Sequence, residues 1–269
     1  MDNAQPRRIA DLDLNTADVE AAADFYVEAL GFVRAGPGGR LTLGNQAITL
    51  TARPAGEPYP RPRAANDLWF QHFAIVVADM DRAFARLAAY RGRLGGAEAI
   101  SLGGPQRLPA STGGVIAYKF RDPEGHPLEL SQLPGDAAWA ETATRGPSTL
   151  FLGIDHTALA ISDLDASLAF YRDLGFREGP RFLNQGPEQD RLDGLRDAVV
   201  DIATLFAPGG GPHIELLRYR SPPPGPPAAL EASAIAATIT RLEGAGASEP
   251  VTLLDPDGHR LVVGAAAPR

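Results

Sequence analysis

The chain has 269 residues, 44% of them hydrophobic, which is enough for a substantial core and for more than one domain. A net charge of -8 argues against nucleic acid, which needs a clustered basic surface, and no apolar run approaches the ~20 residues of a membrane helix. Cysteine is absent, which excludes disulfides, thiolate metal sites and a cysteine nucleophile and leaves nitrogen and oxygen to hold any metal.

The N-terminus, MDNAQPRRIADLDL, lacks the apolar core of a signal peptide, and a cytoplasmic protein is expected. From Ile9 the sequence IADLDLNTADVEAAADFYVEALGF predicts a strand, then an aspartate, Asp18, placed to cap a helix. Val19, Ala23 and Tyr26 give that helix an apolar face, and Gly31-Phe32 closes it. A strand reading AITLT, from Ala47, ends this first unit, about 9–53. A second unit, about 70–132, opens with FQHFAIVVADMDRAFARL: His72, Ala74 and Val76 alternate with Phe73, Ile75 and Val77, and Asp79 caps the helix. It closes with FRDPEGHPLEL, where Asp-Pro-Glu-Gly makes a tight turn into a short apolar strand.

Residues 136–150 read as a linker between an N-terminal half, 1–135, and a C-terminal half, 151–269. A third unit, about 153–219, repeats the pattern. IDHTALAISDLDASLAFYRDLGF aligns with the first unit when Phe170-Tyr171 is matched to Phe25-Tyr26. Its cap is Asp163, its helix face carries Leu164, Leu168 and Tyr171, and HIELL from His213 closes it. The fourth unit, about 228–264, is reduced. Its opening strand is placed near 228–232, after a proline-rich stretch, and LLDPDGHRLVV repeats the closing turn and strand.

A helix ending in Phe-Tyr-x-x-x-Leu-Gly-Phe, and Asp-Pro-Glu-Gly-His-Pro-Leu-Glu-Leu closing a unit, resemble the vicinal oxygen chelate superfamily of glyoxalases, bleomycin-resistance proteins and extradiol dioxygenases. The resemblance implies an α+β fold of four βαβββ modules in two half-barrel domains around a divalent metal ion (Fe, Mn, Ni, Co or Zn). In that family one ligand comes from the first strand of a unit and one from its last. The repeat alignment carries these positions to His72 and Glu129 in unit two and to His156 and Glu215 in unit three. Unit one has Asp11 and Thr49 there, and unit four roughly Pro227 and Val262. Only a pairing of units two and three assembles two histidines and two carboxylates, so the shared cleft is expected there, with units one and four an inert pair. Glu129 lies between Leu128 and Leu130, and Glu215 between Ile214 and Leu216. Burying such carboxylates costs on the order of several kcal/mol each unless a cation or hydrogen bonds compensate.

His126 and His259 follow the Asp-Pro-x-Gly turn even in the unit without ligands, and are read as structural. His213 shares a face with Glu215 two residues on, either touching substrate or hydrogen-bonding beside the ligands; Tyr219 shares that face further along. The polar segment 181–195 offers Asn184, Gln185, Gln189 and Arg191 to a polar substrate, or is a solvated loop; Arg107 and Tyr118 are the weaker counterparts in unit two. Three functions stay open. The first is a lyase or isomerase resembling glyoxalase I or methylmalonyl-CoA epimerase, with Glu129 or Glu215 moving the proton. The second is an extradiol dioxygenase using two histidines and one carboxylate. The third is a non-catalytic binding or resistance protein. Each implies a small-molecule partner, with no nucleic acid, no membrane and a homodimer left open.

Overall fold

A computed structural model describes residues 6–36, 38–135, 139, 149–225, 230–244 and 250–264. The expected linker, 136–150, lies largely outside them, as does Pro227. Unit one comprises β1 (Pro6–Thr16), α1 (Val19–Leu30), β2 (Val33–Arg34), β3 (Arg40–Leu43) and β4 (Gln46–Ala52). Unit two comprises β5 (Gln71–Val77), α2 (Met80–Ala89), β6 (Glu98–Ala99), β7 (Gln106–Arg107), β8 (Ile116–Arg121) and β9 (Pro127–Gln132). Unit three comprises β10 (Phe151–Ala160), α3 (Leu164–Asp173), β11 (Arg177–Gln185), α4 (Pro187–Asp193), β12 (Val199–Phe206) and β13 (His213–Ser221). Unit four retains β14 (Ile239–Gly244), β15 (Val251–Leu254) and β16 (Arg260–Gly264).

The three long helices begin where their aspartates accept main-chain N–H groups: Asp18 from Ala21, Asp79 from Arg82, and Asp163 from Asp165 and Ala166. Gly31 ends α1 in the left-handed region at φ 73°, a conformation that favours glycine. The tyrosines of the Phe-Tyr pairs reach across units. Tyr26 donates to Asp122 of the second unit's turn at 2.9 Å, and Tyr171 to Asp255 of the fourth unit's turn at 3.3 Å.

The strands form two sheets. One has seven strands in the order β15-β16-β14-β1-β4-β3-β2, drawn from units one and four. The other has nine and draws on units two and three: β11-β12-β13-β10-β5-β9-β8-β6, with β7 pairing with β8. The mixed α+β architecture and the pairing of the central units are those expected. In the nine-stranded sheet β10 and β5 run antiparallel, with His156 opposite Ala74 and Ala158 opposite His72. The first and last strands of each unit run parallel, with Ala74 beside Glu129 and Ala158 beside Glu215. Alternation then divides the faces of β5. Phe73, Ile75 and Val77 join Phe25, Tyr26 and Leu87 in the main apolar core, and the other face is left to His72 and its neighbours.

Two expectations need correction. Unit four opens at Ile239, not near 228–232. Residues 230–238 instead form a turn-rich strap, pinned where Asn15 donates to the Ala232 and Ala234 carbonyls at 3.0 and 2.8 Å and where Ile235 N–H meets the Glu57 carbonyl. Because Arg241 pairs with Val262 as Ala74 pairs with Glu129, the counterpart of His72 is Ile239 and not Pro227. Among the described residues no helix separates β14 from β15. The second correction concerns 181–195, which is not a loop. It divides into the end of β11 and α4, a short helix with Pro187 in its first turn and Gly194 as its left-handed cap.

Candidate metal centre

The register of the central seam gathers the polar side chains on one side of the nine-stranded sheet. Ligand atoms of His72, Glu129 and His156 all lie within 4.8 Å of one another. His72 Nε2 is 3.5 Å from Glu129 Oε2, and the two imidazole rings are 5.6 Å apart, edge to face. Glu215 lies outside that mutual set but reaches one member of it, with Oε2 3.6 Å from His156 Nε2. All four residues line a cleft of about 170 Å³ whose apolar walls include Leu108, Phe182, Leu192, Ile202 and Leu217.

The nitrogens decide what the cluster is fit for. Both ring nitrogens of His72, and Nε2 of His156, are buried without a hydrogen-bond partner. A buried polar atom left unpaired costs about 1–3 kcal/mol, and three of them beside two carboxylates are a donor set that a cation would satisfy. His156 Nδ1 faces Asp155 Oδ2 at 3.0 Å. Donating that N–H leaves the Nε2 lone pair directed at the cluster, the usual arrangement around a metal-binding imidazole. Asp155 is absent from the sequence reading because strict alternation sends it to the other face. A register shift between Ile154 and His156 makes it the bulged residue, and a bulge re-aims a side chain.

Electrostatics describes the same electronegative pocket. Burial opposes charge on His156, but Glu215, Asp155 and Glu129 outweigh it and hold its pKa up at about 9. Burial likewise opposes the Glu215 carboxylate, and the charge of His156 and the adjacent His213 pull its pKa down to about 2. Glu129 is held well below the usual carboxylate range, because the His72 ring and the Lys119 ammonium outweigh its burial. For His72 burial wins, and its pKa is lowered.

Glu129 is the better secured of the two carboxylates. Ser131 Oγ donates to its Oε1 at 2.5 Å, and Lys119 Nζ stands 4.0 Å from its Oε2. His213 Nε2 lies 3.5 Å from Glu215 Oε1 and 4.0 Å from Asp155, beside the cluster. Asn184 and Gln189 line or border the same cleft. The remaining candidates sit elsewhere. Tyr118 packs edge-on against Phe84 of α2, on the helix-covered face, since alternation along β8 gives the cleft to Lys119. Arg191 binds Gln106 at 2.7 Å and ties α4 to unit two. Gln185 is exposed at the end of β11, and Arg107 is exposed on β7. Tyr219 is buried beneath the cleft and donates to Asp193 at 3.0 Å.

The family model of the Glyoxalase/Bleomycin resistance protein/Dioxygenase superfamily matches residues 8–130 and 153–263. The chain belongs to that superfamily. Among solved structures, glyoxalase I from Zea mays aligns at 18% identity over 97% of this chain and 92% of that one, with a TM-score of 0.63. A putative dioxygenase from Bacillus subtilis aligns at 12% identity over 98% and 86%, with a TM-score of 0.59. At these identities the likeness is one of fold, and superfamily membership leaves the reaction to the site itself. A search of curated proteins finds no match. No helix among the described residues is long and apolar enough to cross a membrane.

Proposed function

We propose that this superfamily member is a metal-dependent lyase or isomerase that moves a proton beside a metal-bound carbonyl of a small molecule. The observation that carries the reading is the set of orphaned imidazole nitrogens facing two carboxylates at 3.5 and 3.6 Å. His72, Glu129 and His156 would hold the ion, with Glu215 as a fourth ligand or standing just off it. Bound there, a divalent ion such as Fe, Mn, Ni, Co or Zn would polarise the substrate carbonyl and acidify the neighbouring C–H.

The chain's own groups then divide the work. Glu129, fixed by Ser131 and Lys119, stays a carboxylate and anchors. Glu215 Oε2 has no such hydrogen-bond donor, its neighbour being His156 Nε2 at 3.6 Å, and that carboxylate takes the proton. His213, 3.5 Å from Oε1, passes it towards solvent.

One observation favours a second reading. The mutual set is two histidines and one carboxylate, the pattern of non-haem iron oxygenases. Elemental analysis of protein purified without chelators comes first, followed by two assays on the loaded protein. Exchange of a substrate α-hydrogen with deuterated water, without oxygen consumption, supports proton transfer. Stoichiometric oxygen uptake with a catechol transfers the assignment to the dioxygenase.

A further inference from the structure

The chain's single lysine lies on β8 directly opposite Glu129 on β9, and it is almost fully buried. Its ammonium is 2.6 Å from Asp193 Oδ1. At that distance, and buried together, the ammonium and the Asp193 carboxylate form an ion pair. An ionised carboxylate only accepts hydrogen bonds. The second oxygen of Asp193 therefore takes donors, Gln189 Nε2 at 2.6 Å and Tyr219 OH at 3.0 Å. With its NH2 committed, Gln189 turns its carbonyl to Asn184, whose Nδ2 donates at 3.2 Å. Asn184 is left with Oδ1, a buried acceptor that has no partner, in a side chain 7% exposed on the cleft wall. Flipping either amide sets oxygen against oxygen. The polarity of the relay follows from the charge at its start.

We propose that Asn184 Oδ1 is the point at which the cleft recognises a hydrogen-bond donor on its substrate, with Lys119, Asp193 and Gln189 positioning it. The inference deepens the proposed function and rests on its cleft. The volume, about 170 Å³, compares with the roughly 150 Å³ of an apolar cavity that accepts benzene. The substrate class is accordingly a molecule with an apolar body about one ring in size and a hydroxyl or N–H group that reaches Asn184. An analogue without that donor leaves a buried acceptor unpaired, and one carrying an acceptor there is repelled.

Benzohydroxamates test this without turnover, since their paired oxygens bind divalent ions and their ring fills one such body. Titration calorimetry on the zinc-loaded protein would compare ring hydroxyl, methyl and methoxy derivatives at the 3- and 4-positions. We expect at least one hydroxyl compound to bind about tenfold or more tightly than its near-isosteric methyl counterpart, with methoxy weakest. Asn184→Leu should bring the hydroxyl-to-methyl ratio to one or below with zinc content unchanged. Lys119→Met, which removes the donor that holds Asp193 Oδ1, should shrink it. If Asn184→Leu fails to fold, Asn184→Ser, able to donate as well as accept, should also relax the ratio. Equal affinity of hydroxyl and methyl compounds in the parent protein, a ratio untouched by the Asn184 variants, or no binding of any hydroxyl compound overturns the proposal. The proposed function fails by a different route, through zinc content indifferent to the histidines or absence of hydrogen exchange.

Discussion

The two sheets are built on one register and have treated the same four positions in opposite ways. In the nine-stranded sheet those positions hold His72, Glu129, His156 and Glu215; in the seven-stranded sheet they hold Asp11, Thr49, Ile239 and Val262. In the seven-stranded sheet each buried acid is paired through one oxygen, while Asp11 Oδ1 and Asp13 Oδ1 stay without a partner. Asp11 accepts from Arg40 and, at 2.9 Å, from Thr49, and Asp13 accepts from Arg241 Nε at 2.7 Å. Even so, burial pushes the Asp11 carboxyl up to about 6. In the nine-stranded sheet the imidazole nitrogens have no such partners. The acids of the seven-stranded sheet thus each have a guanidinium beside them, Arg40 at Asp11 and Arg241 at Asp13. What sets the nine-stranded sheet apart is its donor set, two imidazoles beside two carboxylates on the wall of a cleft.

The largest effects should therefore fall on one sheet only. Glu215→Gln is expected to lower turnover by roughly 10²–10⁴-fold, the range for an acid–base group, with Glu129→Gln losing metal as well. Asp11→Asn should leave turnover unchanged, and comparable losses in both sheets would break the contrast. Metal content comes next. His72→Ala and His156→Ala should weaken metal binding by more than the about 10–100-fold typical of an outer partner, and Asp155→Asn by about that much. Thr49→Ala should do nothing to metal content measured by elemental analysis. Full metal retention in both histidine variants would remove the site.

The reverse experiment strikes the seven-stranded sheet. Arg241→Ala strands Asp13, which is buried, and should cost about 2 kcal/mol. That is less than the ~3–5 kcal/mol of a fully enclosed pair, because the Arg241 side chain is 44% exposed. Denaturant unfolding reads the loss, and metal content should not change. A variant as stable as the parent would mean that the ion pair is not what stabilises that cleft.

The contrast was partly legible in the sequence, because ligand positions recur at a fixed distance before each helix-capping aspartate: His72 before Asp79, His156 before Asp163, Asp11 before Asp18. The pairing of units two and three followed from asking which pairing yields a complete donor set. The start of unit four is not legible because it keeps no capping aspartate to count from, and alanine-rich 228–232 resembles a strand in composition. Arg191 and Gln185 look free to meet a substrate only while 186–194 passes for a loop, although Gly186-Pro187 and Gly194 mark the ends of a helix. Lys119 carried no visible role. The available signal was a lone lysine opposite Glu129 across a tight turn, and it needs strand register to be read.

The smallest effect separates the two Asp-Pro-x-Gly-His turns. In unit two, His126 Nδ1 lies 2.8 Å from Asp122 Oδ2, whereas His259 in unit four turns its ring to the Ala160 carbonyl at 2.8 Å. Burial lowers the His126 pKa, but Asp122 outweighs it and the net shift is upward. Burial raises that of Asp122, but His126 outweighs it and the net shift is downward. A raised histidine contributes stability that is complete below its unfolded value of about 6.5 and is lost as pH rises through the folded value. A depressed aspartate contributes above about 4 and loses that contribution as pH falls through its folded value. The pair therefore stabilises most between about pH 4 and 6.5. His126→Gln should lower the melting temperature by about 2–4 °C near pH 6, as a loss of ~1 kcal/mol does in a chain of this size, with the gap to the parent closing as pH rises through the folded value of His126. His259→Gln, which breaks a bond to a main-chain carbonyl, is the control for losing a hydrogen bond without an ion pair. A His126→Gln gap that stays constant from about pH 6 to 9 would show that the two turns are alike and that the ion pair in unit two contributes nothing beyond its hydrogen bond.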